Sequence, residues 1–119
     1  MFNFEKLETW QKSLEFADLV YSATDTFPID ERFGLTVQLR RAAVSVSSNI
    51  AEGASRNSRI DYARFTEIAT GSLFETVSQS FIAKRRGLLD EASFAKIYAH
   101  ADELSRMLSG LRTYLIGHA

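Results

Sequence analysis

With 119 residues, 45% of them hydrophobic and 24% charged, the chain has the composition of one globular domain and not of a disordered segment. The absence of cysteine excludes a disulfide framework and a thiolate metal site, and the reducing cytosol is the expected compartment. The opening stretch "MFNFEKLETW" carries acids where a signal peptide needs a basic start and an apolar run. No stretch of about 18 apolar residues occurs, so no membrane association is expected.

The formal net charge of -1 conceals a gradient. Residues 1–31 hold Glu5, Glu8, Glu15, Asp18, Asp25, Asp30 and Glu31 against Lys6 and Lys12. Residues 32–64 hold Arg32, Arg40, Arg41, Arg56, Arg59 and Arg64 against Glu52 and Asp61. Such polarity favours the acidic segment meeting the basic one, within a chain or between copies.

In chain order, the first periodic segment places Leu7, Trp10, Leu14, Ala17, Tyr21 and Thr24 at alternating three- and four-residue steps, which is helical spacing. Pro28 closes it, because proline disfavours helical geometry in the residue before it. A second stripe, Phe16, Val20, Ala23 and Phe27, runs beside the first. One bundle core accepts only part of so wide an apolar arc, so Phe16 and Val20 are assigned to contact with a neighbouring subunit.

In the next segment, Val44 to Ser47 alternate apolar and polar like a half-buried strand, but Leu35, Leu39, Ala42, Val46 and Ile50 give a longer helical match. The helix is rich in small residues. Either neighbouring helices approach it closely, with Ser45, Ser47 and Ala51 meeting a sister copy, or it presents a polar face to solvent.

The third segment carries Tyr62, Phe65, Ala69, Leu73, Val77 and Phe81, with Ser58 and Asp61 approximating a capping box. Gly87 suits the left-handed position after its end, and close packing is the expected reason for Gly71 within it. The last segment is a bundle seam, Phe94, Ile97, Ala101, Leu104, Leu108, Leu111 and Leu115, with Asp90 as N-cap. The expectation is an all-α, antiparallel up-down-up-down four-helix bundle, one domain over residues 1–119, with helices at about 4–26, 30–54, 58–86 and 90–116.

Chemistry is sparse. A di-iron bundle needs Glu-x-x-His units, but the residues three before His100 and His118 are Ile97 and Leu115. No histidine lies beside a plausible nucleophile, and "EGASRNS" is not a phosphate-binding glycine loop. Glu52 and Glu75 would form an acid/base pair only if the fold brought them together. No catalytic residue, metal or cofactor is expected. A nucleic-acid reading would rest on Arg40, Arg41, Arg56, Arg59 and Arg64, with Lys84, Arg85 and Arg86 as a separate patch. A pI near 6.1 counts against a dedicated nucleic-acid binder, and Phe33, Tyr62 and Phe65 are assigned to the core, not to a stacking platform.

The stretches "FEKLETWQKSLEFADLVY", "FPIDERFGLTVQLRRAAVSVSSNIAEG", "RFTEIATGSLFE" and "KRRGLL" together resemble the four-helix-bundle family of 23S rRNA intervening-sequence proteins, also labelled S23. The likeness covers nearly the whole chain. Ser47 stands where that family commonly has proline. The resemblance implies a homopentameric ring, in which the small residues and the spare apolar stripe become inter-subunit surface. It implies a non-enzymatic scaffold or binding protein whose partner is a protein, RNA or DNA, and it carries over no catalytic residue.

Overall fold

The computed structural model describes residues 1–119 and contains four long helices and no strand. They are α1 (Glu8–Thr24), α2 (Leu35–Ala54), α3 (Arg59–Arg85) and α4 (Glu91–Gly117), with short 3-10 turns at Asn3–Lys6 and Ile29–Glu31. Neighbouring helices run antiparallel. Gln79 bonds Gln38, Ser72 meets Ser45, and Tyr62 and Phe65 lie against Gly53, so α3 rises as α2 falls. Likewise Lys84 pairs with Glu91 and Arg112 with Glu67. Each helix touches the two beside it and none touches its diagonal, which makes a square bundle of 45 × 22 × 20 Å.

Local chemistry sets the helix ends. Ser58 Oγ accepts from the Asp61 N–H at 3.1 Å, and Asp90 Oδ1 accepts from the Ser93 N–H at 2.7 Å. That bond, with help from Lys96, holds the Asp90 carboxyl below the ordinary carboxylate range. At the end of α3, Gly87 adopts φ +75°. Its N–H reaches Lys84 O and that of Leu88 reaches Ala83 O, a Schellman cap that folds Leu89 into the core.

Two starts differ from the sequence reading. Leu7 is extended, so α1 begins at Glu8 and not near residue 4. Residues 29–34 form a 3-10 turn and bend, so α2 begins at Leu35 and not at Asp30. There the Glu31 carboxylate reaches forward to accept from the Leu35 N–H at 3.2 Å. At Ser47 the helix is unbroken, and the hydroxyl donates to Val44 O.

The α4 seam faces the core through Phe94, Ile97, Ala101, Leu104, Leu108 and Leu115. The seams of α1 and α3 are rotated from those read in sequence. On α1 the buried stripe is Thr9, Ser13, Phe16, Val20 and Thr24, with Phe27 beyond the helix, while Leu14 and Tyr21 are exposed. The assignment of Phe16 and Val20 to a subunit interface is therefore corrected: both are fully buried inside their own chain. On α3 the buried face is Ala63, Thr66, Ala69, Leu73, Thr76, Ser80 and Ala83, whereas Phe81 is exposed. The physical reason is shared. Thr24, Thr66, Thr76 and Ser80 donate to carbonyls three or four residues back, which removes most of the cost of burying a hydroxyl.

Glycines separate close approach from open space. A Cβ on Gly53 would lie 2.8 Å from Phe65 Cβ and 2.9 Å from Tyr62 Cδ1, so α2 and α3 meet there only because residue 53 has no side chain. Gly71 has nothing within 4 Å of such an atom, and the expectation of close packing there is not met within the chain. We expect Gly53→Ala to lower stability by about 1–3 kcal/mol through overpacking. Gly71→Ala should raise it by up to about 1 kcal/mol through helix propensity. Urea unfolding followed by circular dichroism reads both, and equal effects of the same sign would contradict the packing described.

Candidate functional site

The square arrangement gives the bundle four sides, and two opposite ones carry unusual surface. The first is the shared side of α1 and α2, where a depression of about 680 Å³ is lined by Tyr21 of α1, Arg32 and Phe33 of the connection, and Arg40, Arg41 and Val44 of α2. The second is the shared side of α3 and α4, where an apolar groove of about 420 Å³ is lined by Phe74, Val77 and Phe81 opposite Tyr98, Ala101 and Asp102.

The first side is built on an anchored arginine. Arg40 Nε donates to Thr24 Oγ1 at 2.8 Å, its terminal nitrogen pairs with Asp25 at 3.0 Å, and its guanidinium lies 4.5 Å from the Tyr21 ring centroid. Thr24 Oγ1 in turn donates to Val20 O, which leaves its lone pairs for the arginine. This is the ion pair through which the acidic N-terminal segment meets the basic segment inside the chain. Arg32 and Arg41 have no carboxylate within 4 Å. Phe33, expected in the core, is 85% exposed and follows Arg32 outside the stripe that begins at Leu35.

The second side follows from the rotation of α3. Small and hydroxyl-bearing residues occupy its inner face, so Phe74 and Phe81 stand outside, with Phe74 62% exposed. Phe81 and Phe94 meet edge to face at 4.8 Å, and Tyr98 closes the wall with its ring perpendicular to that of Phe81. Sequence reasoning put Phe81 in the seam and passed over Phe74 and Tyr98. A signal was available, since Phe74 lies one position off the Ala69, Leu73, Val77 stripe and is too large to be neutral on a solvated face.

The five arginines singled out from the sequence do not form one cluster. Arg40 and Arg41 lie near the start of α2 and Arg56 just beyond its end, separated by roughly 24 Å of helix rise. Arg56 pairs with Glu52 and lies over Phe65, and Arg64 pairs with Asp61. Arg59 has no carboxylate within 4 Å and lies 5.7 Å from the Tyr114 ring. The end of α3, with Arg85 and Arg86, falls at the same pole as Arg40 and Arg41. Tyr62, half-buried beside Gly53, has its hydroxyl pKa raised by desolvation.

Of the small-residue candidates, Ser45 is half-buried and shares a hydrogen bond of 2.9 Å with Ser72 of α3. Ser47 is buried and Ala51 half-buried, so α2 is slim chiefly toward its own neighbours. Glu52 and Glu75 do not converge: Glu52 pairs with Arg56 near one pole, and Glu75 accepts from Gln79 in mid-α3. His100 stands 6.1 Å from the Phe16 ring, and its Nδ1 is buried without a hydrogen-bond partner. His118 stacks on Tyr114 at the far end of α4. No group of three or more His, Cys, Asp or Glu side chains is placed to hold a metal ion. No helix is long and apolar enough to cross a membrane.

These features define an all-α bundle of four antiparallel helices with apolar surface on two opposite sides. The family model for 23S rRNA-intervening sequence proteins matches residues 5–110, and the chain belongs to that family. Among solved structures, a protein of unknown function from the S23 ribosomal protein family of Bacteroides thetaiotaomicron is similar to it, with a TM-score of 0.78 and 23% identity. That likeness covers 87% of this chain and 97% of the other, and it is a likeness of fold. No curated protein matches the chain.

The anchored and the free arginine should separate in a stability measurement. Arg40→Ala loses charged hydrogen bonds and the Tyr21 contact and should cost about 1–2 kcal/mol. Arg41→Ala should change stability by less than about 0.5 kcal/mol. Chemical denaturation of the two variants checks this, and an Arg41→Ala cost equal to that of Arg40→Ala would refute the assignment.

Proposed function

We propose that this chain is a non-enzymatic helical-bundle protein that works as a homo-oligomer, presenting repeated copies of its surface to a partner. The observation that carries the reading is the apolar groove of α3 and α4, where Phe74, Phe81 and Tyr98 are all well exposed in one chain. A solvated helix face does not place two phenylalanines and a tyrosine around one groove without cost, and such patches mark interaction surfaces. A side of the bundle measures about 45 × 22 Å. That is ample for a standard interface of roughly 800 Å² per partner. A five-membered ring is the assembly that the family resemblance implies. Native mass spectrometry at micromolar concentration should give a single multiple of the 13.4 kDa chain, and monomer alone would end the reading.

A second reading, an RNA- or DNA-binding accessory protein, is favoured by one observation: Arg41 and Arg59 are exposed with no carboxylate partner. Ring repetition multiplies weak contacts, so even a few arginines per chain can give strong binding. Filter binding to single-stranded RNA should then weaken steeply with added salt, and again when Arg41 and Arg59 become Glu. Binding indifferent to salt, or to both substitutions, would remove this reading and leave the first intact.

A further inference from the structure

We infer that copies of this chain join head to tail, with the protruding Phe33 of one copy seated in the α3/α4 groove of the next. The inference rests on the oligomeric reading above and specifies the surface that carries it.

Three observations converge. First, the two apolar features lie on opposite sides of the square bundle: Phe33 with the α1/α2 depression, and Phe74, Phe81 and Tyr98 with the α3/α4 groove. A contact that used the groove alone on both partners would pair two copies and leave Phe33 bare. A contact between opposite sides uses both features in every copy and repeats.

Second, the charges match. The only charged side chain lining the groove is Asp102, whereas those lining the depression beside Phe33 are Arg32, Arg40 and Arg41. Asp102 pairs with Arg106 of its own helix at 2.6 Å but stays exposed, whereas Arg32 and Arg41 have no carboxylate within 4 Å, so these two cations are open to the Asp102 carboxylate of the next copy.

Third, the upper end of the groove stands near the height of Phe33. The Gln38–Gln79 and Ser45–Ser72 contacts fix the register of α2 against α3 and put Phe33 close to the level of the last turn of α3. Phe81, at the upper end of the groove, lies about one helical turn, roughly 5.4 Å, below that level, and Phe74, at its lower end, roughly 15 Å below it. Seating Phe33 in the groove therefore shifts neighbouring copies by no more than roughly 15 Å along the 45 Å long axis, and the repeat is a ring if the rotation between copies closes and a filament if it does not.

The test uses the full chain with Phe33→Asp, which removes the knob, and Phe74→Asp, which spoils the groove. Phe33 is 85% exposed, so its substitution should leave the fold unchanged. If Phe74→Asp disturbs the circular dichroism spectrum, Ser78→Arg on the same wall replaces it. Each variant alone should lose at least about tenfold in self-association, as expected for an aromatic anchor. Mixing the two restores one intact contact per pair, so the mixture should form a heterodimer and nothing larger. The chain has no cysteine, so Phe33→Cys on one copy and Phe74→Cys on another can be joined by a short bis-maleimide, which captures even a weak pair. Cross-linking of that mixture should exceed that of Phe33→Cys mixed with Ser55→Cys, placed at the opposite pole. A wild-type oligomer that both aspartate variants leave intact would overturn the knob and groove while the oligomeric reading stands. Loss of assembly in each variant, with no heterodimer or selective cross-link on mixing, would show a self-paired contact and overturn the head-to-tail arrangement. A monomeric wild type would remove both.

Discussion

The closeness of α2 to α3 is the constraint on which the rest of the structure depends. Gly53 lets the backbone of α2 lie against Tyr62 and Phe65, and Ala42 and Ala69, with Ser45 against Ser72, keep the seam thin along its length. Interaxial distance follows the bulk at the contact, so a row of alanines, hydroxyls and one glycine draws two helices together. What a thin seam excludes must go elsewhere. On α3 the large apolar side chains Ile68, Phe74, Phe81 and Ile82 stand outside because the inner face has no room for them. The packing that holds the bundle together and the apolar surface that it leaves open thus have one cause.

The same constraint explains why hydroxyl groups fill the core of α3. A threonine or serine in mid-helix can return its hydrogen bond to its own backbone, as Thr66, Thr76 and Ser80 do, and then packs as a small apolar group. Large apolar residues at those positions would push α3 away from α2 and open the approach at Gly53. The bundle keeps its volume through α4 and α1 instead, whose Phe94, Leu104, Leu108 and Phe16 fill the centre.

Legibility in the sequence follows the same division. The α4 seam, the Asp90 and Ser58 caps and the Gly87 turn were all readable, because large apolar spacing and cap chemistry leave direct marks. The seams of α1 and α3 were not, because counting large apolar residues rotates each helix toward its bulk. Leu14, Tyr21 and Phe81 count as core by hydropathy, while Ser13, Thr66 and Ser80 do not, and burial reverses both groups. Phe33 failed for a different reason. It belongs to no stripe, and its exposure depended on α2 starting only at Leu35, where the Glu31 carboxylate accepts from the first turn.

The arginines show how far charge counting goes. A run of positive residues from Arg32 to Arg64 suggested one surface, yet the helix carries its two ends roughly 24 Å apart and three of its members are engaged at home. Arg40 in particular is structural: it ties the end of α1 to the start of α2 through Thr24, Asp25 and Tyr21, beside the turn that carries Phe33. That placement joins the two halves of the molecule's behaviour. The ion pair that fixes the α1–α2 corner also holds the exposed phenylalanine at a set height, so an apolar feature of the surface is positioned by contacts made within the corner beside it.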